Sequence, residues 1–299
     1  MPRIYAQPGQ LRDTANAQTE ICTANTFLPC RRAVRSATVR LVAAEVIAAR
    51  KNSVFNFVIR RALARALRRR FHAVQIAGVE HLRALVPDRP VIGCANHTNW
   101  WDGFLLYVLS HRLLPAHDIF LAMEEANLRR YPFFRWMGCF GVDLDAQRSS
   151  AALPGVRYAV RLLRGSADRL VWLFVQGRLA SPRVAVEAKT GALWLARHTG
   201  AQLLPLSIRY EWLAESRPTI FVRIGAPFFP GVDDSAAVLA EKLNALLAAT
   251  DDALLRSPPE LRDYAPLFPP QLSFNKRWDL FLHRLRGGRA RNFERANRL

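Results

Sequence analysis

The chain alternates short, mostly apolar runs with longer stretches in which apolar positions recur every three or four residues. Residues 71–76, 90–95, 118–123, 138–144, 170–175, 203–210 and 219–224 are of the first kind, set off by Gly, Pro and Asp, and read as strands. Stretches 102–114, 149–163 and 184–198 carry the helical period, and 128–137 is an aromatic-rich helix or loop holding Tyr131, Phe133, Phe134 and Trp136. Over 234–250, Val238, Leu239, Leu243, Leu246 and Leu247 share one face of a further helix. Strands that stay apolar along their length need cover on both sides. Alternating with helices, they predict an α/β fold, a mostly parallel sheet covered by helices on both faces.

The two ends of the chain break this rhythm. Residues 1–30 are polar, rich in Thr, Ala and Gln, and show no period, so they read as a disordered arm. Residues 31–70 hold twelve Arg and Lys against one acid, Glu45, with Val39, Leu41, Val46, Ile47, Phe55, Val58, Ile59, Leu63 and Leu67 between them. This is an N-terminal basic amphipathic helical segment. It suits an anionic membrane surface, with its arginines at lipid phosphates, or a helix packed on the domain with a solvated basic face. Residues 71–255 form the main domain. In 256–299 a Pro-rich linker, Ser257-Pro258-Pro259 through Pro269-Pro270, precedes a second basic amphipathic helix in which Phe274, Trp278, Phe281, Leu282 and Leu285 share a face.

Composition narrows the partners. A chain of 299 residues that is 51% hydrophobic buries a full core, and 43 Lys plus Arg against 24 Asp plus Glu leave +19, which favours phosphate-rich surfaces and acidic co-substrates. Cys22, Cys30, Cys94 and Cys139 have no CxxC or zinc-finger spacing, so reduced thiols and no metal are expected. The apolar runs fall short of the roughly 18 residues that span a bilayer, and no signal core opens the chain. The expectation is a peripheral protein at the cytoplasmic face of the membrane. Neither a P-loop nor a GxGxxG turn follows a strand, so no nucleotide cofactor is supported.

The candidate chemistry lies in 91–103, where a strand passes through Asn96-His97-Thr98-Asn99-Trp100-Trp101 into a helix opened by Asp102 and Gly103. Open α/β sheets place ligands at such strand ends. Asp102 is expected to cap the helix and to accept the Nδ1 proton of His97, leaving Nε2 as a general base. One His five residues before an Asp is common. Three later strand ends raise its weight: Gly138-Cys139-Phe140-Gly141-Val142-Asp143-Leu144, Phe174-Val175-Gln176-Gly177-Arg178-Leu179-Ala180-Ser181 and Leu203-Leu204-Pro205-Leu206, the last preceded by Lys189-Thr190-Gly191.

Together these segments resemble the glycerolipid and lysophospholipid acyltransferase family, whose signature is His-x4-Asp with three downstream blocks. The resemblance covers roughly residues 75–225. It implies that His97 deprotonates an acceptor hydroxyl while Asp102 holds it. It further implies substrate contacts from Asn96, Gly103, Asp143, Gln176, Gly177, Arg178 and Pro205. Three positions depart from the family pattern. Leu144 stands where an Arg is expected, Gln176 replaces a Glu, and Arg178 comes one residue early. Arg148 is the candidate to supply the missing guanidinium from a loop, since a planar fork grips phosphate through two hydrogen bonds.

The implied reaction is direct acyl transfer from acyl-CoA or acyl-carrier protein to a lipid acceptor, with no cofactor and with backbone amides near Gly177 facing the oxyanion. No Ser elbow or Cys–His arrangement offers a nucleophile. The departures leave open a phosphate-bearing acceptor, a neutral glycolipid, or a relative that binds lipid without catalysis. A nucleic-acid-binding protein is the alternative from another class. The basic residues are interleaved with Leu, Val and Phe and no RNA- or DNA-binding motif is present, so no nucleic acid is expected as a partner.

Overall fold

The computed structural model describes residues 46–144, 152–213, 215–256, 263–269, 278 and 281–282. At its heart is an eight-stranded sheet in the order β4-β3-β5-β2-β6-β7-β1-β8. The strands are β1 Val74–Ala77, β2 Val91–Ala95, β3 Asp118–Glu124, β4 Cys139–Val142, β5 Arg169–Phe174, β6 Gln202–Glu211, β7 Thr219–Ile224 and β8 Ala265–Pro266. All neighbours are parallel except β6 with β7 and β1 with β8. The sheet is therefore mixed but mostly parallel, and helices flank it.

Alternate residues of each buried strand feed two separate cores, as the pleat requires. Val91, Ala95, Trp172, Leu204 and Leu206 face helices α1 Ser53–Arg70, α2 Asp102–Leu113, α3 Glu125–Arg130 and α4 Phe134–Met137. Ile92, Cys94, Val171 and Leu203 face α5 Leu153–Gly165, α6 Gly191–Thr199 and α7 Ala236–Arg256. The central strand β2 is buried at every position. Gly93 lies there because the Trp172 indole of β5 fills the space a side chain would need, and the same indole donates from Nε1 to Ser110 Oγ at 2.7 Å. That pair fixes α2 over β5, and α2 carries Asp102 at its first position.

Helix α1 begins at a capped end, with Asn52 Oδ1 accepting from the Phe55 amide at 2.8 Å. Its apolar residues divide. Leu63 and Leu67 are buried in the core and Phe55 packs edge-on against Trp136 with centroids 5.1 Å apart. Val54, Phe57 and Val58 remain 75%, 53% and 59% exposed beside Arg60, Arg61 and Arg65.

Two elements differ from the pattern-based expectation. The helix expected over 184–198 starts only at Gly191. The residues before it are stitched elsewhere: Val186 exchanges two hydrogen bonds with the Asn244 side chain of α7, and the Lys189 amide donates to Val175 O at 2.9 Å. A helix there would claim the same amides. The second difference lies in the expected Pro-rich linker, where β8 pairs with β1, the Leu267 amide donates to Val74 O at 2.7 Å, and Leu267 and Phe268 are buried. The segment thus covers an otherwise open sheet edge. Cys94 and Cys139 are buried free thiols. The expected N-terminal arm, Cys22, Cys30 and most of the C-terminal amphipathic stretch lie outside the described residues.

Candidate active site

Strand β2 ends at Ala95, and the next residue extends its pairing with β6 by a side chain. Asn96, only 1% exposed, donates from Nδ2 to Ile208 O at 2.9 Å and accepts from Ile208 N at 2.8 Å through Oδ1. The side-chain amide expected to meet substrate is engaged in this two-point clamp. His97 follows, held through its backbone on both sides. Its amide donates to Gln176 Oε1 at 3.0 Å and its carbonyl accepts from the Ala180 amide at 2.8 Å. The ring stacks flat on Phe174, with centroids 3.9 Å apart and planes 10° from parallel.

Asp102 is fully buried and its two oxygens do different work. Oδ2 accepts from His97 Nδ1 at 2.9 Å, from the Thr98 amide at 2.7 Å and from the Asn99 amide at 2.8 Å. Oδ1 accepts from the Tyr210 hydroxyl at 2.6 Å. The expectation that Asp102 caps its own helix is corrected. The carboxylate gathers the amides of the loop before the helix, because Trp101 already has helical backbone angles and occupies the cap position. A carboxylate only accepts, so Nδ1 of His97 is the donor of this pair, and in the neutral ring the lone pair is on Nε2. The His97 side chain is 21% exposed, enough for a substrate to reach it.

The neighbouring turn after β5 is built on Gly177, whose φ of +66° is left-handed and suits a residue without Cβ. The Lys189 side chain lies across it, and its ammonium occupies the space where a Cβ at 177 would sit. The Gly177 amide donates to Phe174 O at 3.0 Å, so the donor expected to face an oxyanion is already engaged. The amides of Arg178 and Leu179 have no partner among the described residues. Gln176, 8% exposed, spends its carbonyl on the His97 amide rather than on substrate. A glutamate at this position would present the same acceptor. Arg178 is exposed and forms no ion pair among the described residues.

His97, Asp102, Gln176, Gly177 and Arg178 thus converge where β2 and β5 end. Gly103 is in the first turn of α2, with open space where a side chain would project. Two expected residues sit elsewhere. Pro205 is buried within β6, paired with Cys94 and accepting from the Gly225 amide at 2.9 Å. Asp143 follows β4, separated from β2 by β3 and β5, and is engaged with other groups. Arg148 lies outside the described residues. Phe174, Lys189 and Tyr210 complete the surroundings. Of these, Tyr210 carries no sequence signal, since it is 108 residues from the carboxylate it meets.

An aromatic surface borders the corner. Trp100, 50% exposed, meets Phe104, Tyr131 and Phe134 edge-on at 6.1–6.5 Å, and Trp136, 45% exposed, joins it to α1. Among the described residues no group of three His, Cys, Asp or Glu side chains is placed to hold a metal ion.

Comparison with known proteins places this corner in context. A family model described as Acyltransferase matches residues 73–209. Among solved structures, the 1-acyl-sn-glycerophosphate (LPA) acyltransferase PlsC from Thermotoga maritima is similar over 68% of this chain and 81% of that one, with 20% identity and a TM-score of 0.46. No curated protein matches.

Proposed function

We propose, from the match of residues 73–209 to the acyltransferase family model, that the protein moves a fatty acyl group from an acyl thioester to a hydroxyl of a lysophospholipid or related glycolipid. The observation that carries this reading is the His97–Asp102 pair, with Nδ1 committed to a buried carboxylate and Nε2 free at a strand end. His97 Nε2 takes the acceptor proton as the acceptor oxygen attacks the thioester carbonyl. The tetrahedral oxyanion collapses, the C–S bond breaks, and His97 returns the proton to the leaving thiolate. An ester and a thiol result. The Arg178 and Leu179 amides are the donors available to the oxyanion.

Lys189 and Arg178 beside Gly177 are the cations suited to an acceptor phosphate, standing in for the arginine that Leu144 replaces. Acyl-CoA and acyl-carrier protein are both acidic and both suit a chain of net charge +19. The aromatic surface from Trp100 to Trp136 suits an acyl chain. Helix α1, which meets this surface through Phe55, exposes Val54, Phe57 and Val58 among arginines that suit anionic lipid, so the same reading makes the protein peripheral at the cytoplasmic membrane face. No helix among the described residues is long and apolar enough to cross a membrane.

The test is thioester consumption by the purified protein with acyl-CoA or acyl-carrier protein and a panel of lysolipids and glycolipids. Wild type is expected to release free thiol with at least one acceptor. His97→Ala should lose roughly 100-fold or more of that rate. Equal rates in the two proteins would overturn the assignment.

A further inference from the structure

Resting on the acyl-transfer reading of the corner, we propose that Tyr210 is a positioning residue whose hydroxyl, on the far oxygen of Asp102, sets how strongly that carboxylate draws on the His97 ring. The two interactions share one anion. Tyr210 donates to Oδ1 at 2.6 Å while His97 Nδ1 lies 2.9 Å from Oδ2. Every hydrogen bond to a carboxylate withdraws charge from it, and in a buried site that charge is not replenished by water. Asp102 is 0% exposed, so its partners divide a fixed resource. The Tyr210 bond makes Asp102 a weaker acceptor toward His97.

The donor is rigid and permanent. Burial, followed by the charge of Asp102, pushes the Tyr210 phenol far above its ordinary range, so the proton remains on the oxygen at any working pH. The Asn96–Ile208 clamp fixes the end of β6 two residues before Tyr210 and on the same face of the strand. Phe71, the residue that ends α1, packs on the Tyr210 ring at 5.7 Å and on the Trp101 ring at 5.8 Å. Packing alone would accept phenylalanine at this position. Among the described residues the hydroxyl has a single hydrogen-bond partner, the carboxylate that holds the base.

Beyond Asp102 and Tyr210, the charged groups nearby among the described residues are Arg178 and Lys189 at the neighbouring turn, Arg70 of α1 over the Trp101 ring, and Arg209 of β6, which lines a cleft with Asn96, Thr98 and Gln176 and is paired with Asp251. A substitution at 210 changes none of these charges. The experiment follows the His97 imidazole by NMR as a function of pH in the full chain, with its signal assigned from the spectrum of His97→Gln. It compares wild type, Tyr210→Phe, and 3-fluorotyrosine placed at position 210. Phenylalanine removes the donor and should raise the His97 midpoint by about 0.5–1 pH unit. The fluorinated phenol is a stronger donor of nearly the same shape and should lower it.

The acid limb of kcat/KM for thioester consumption should move in the same two directions. Below the wild-type midpoint, Tyr210→Phe should lose roughly three- to tenfold in kcat/KM, the factor that a shift of about 0.5–1 pH unit gives, and above it the loss should vanish. Midpoints that coincide in all three proteins would overturn the proposal. Should the phenylalanine variant fail to fold, the fluorinated protein decides alone, by a lowered or an unmoved midpoint. The imidazole titration needs no substrate, so its outcome is independent of whether His97→Ala abolishes turnover, which tests the acyl-transfer reading itself.

Discussion

The two sides of the active corner are built on opposite principles. On the β2 side most polar groups of the His97 loop are engaged: the backbone of His97 is held by Gln176 and Ala180, and Asp102 collects donors from His97, Thr98, Asn99 and Tyr210, while the buried Thr98 Oγ1 has no partner among the described residues. On the β5 side, Arg178 and Leu179 present amides without partners among the described residues, and the Arg178 and Lys189 side chains are exposed. In the proposed acyl transfer, a buried network bonded from several sides holds the one geometry that proton transfer requires, and an open cationic rim leaves the choice of acceptor to groups that cost little to vary.

Breaking the buried side should have the largest effect. Asp102→Asn places an amide where three donors now converge and upsets the His97 tautomer, so kcat should fall roughly 10³–10⁴-fold in steady-state thioester assays. A loss under tenfold would show that the pair is not a working unit. Next comes Gln176. Replacement by Leu leaves the His97 amide unpaired at a cost of about 1–3 kcal/mol, seen as a lower melting temperature together with reduced kcat. Gln176→Glu keeps the acceptor and should remain close to wild type by both measures.

The open side should respond more mildly and selectively. Lys189→Ala and Arg178→Ala should each raise KM for a lysophosphatidate by roughly tenfold and leave a neutral glycolipid within about twofold. Equal losses on both acceptors would remove the phosphate role. The α1 surface is milder again. Replacing Phe57 and Val58 by Ser should reduce sedimentation with anionic vesicles several-fold, at an unchanged rate on detergent-dispersed acceptor. Unaltered binding would disconnect this face from the bilayer.

The smallest effect concerns His111, at the other end of the helix that Asp102 opens. Burial first, then the charges of Arg60 and Lys51, lowers it from 6.5 to about 4. Its folded value lies below its unfolded value, so its share of stability is complete above pH 6.5 and is lost as pH falls toward 4. Melting temperature should therefore decline slightly across that window, and His111→Gln should flatten the decline. This histidine also offers an internal contrast with His97 in the same NMR titration.

Much of the fold was legible in the pattern of apolar residues, because buried parallel strands must be apolar on both faces and their helices on one. Helix α6 was overextended for the same reason. Val184, Val186 and Ala188 look periodic, yet Asn244 and Val175 claim the amides a helix would need. In the linker, Leu267 and Phe268 were the available signal for a covered sheet edge, outweighed by the prolines around them. At the site, His97 and Asp102 were legible through their spacing. Asn96, Gln176 and Pro205 stood out equally, but their hydrogen bonds and burial turn them inward, to β6, to the His97 backbone and to the sheet interior.

What the sequence determined by itself is whatever depends on neighbours along the chain: which stretches become strand or helix, and a His and an Asp close enough to share one loop. Spacing encodes such features because backbone geometry repeats every two or 3.6 residues. Only the tertiary structure decided that Tyr210 reaches Asp102, that Gln176 holds the His97 backbone, and that Lys189 crosses Gly177. These contacts join the ends of different strands. Sheet order, which no local period records, brings β2, β5 and β6 side by side and makes one site of residues scattered over more than a hundred positions.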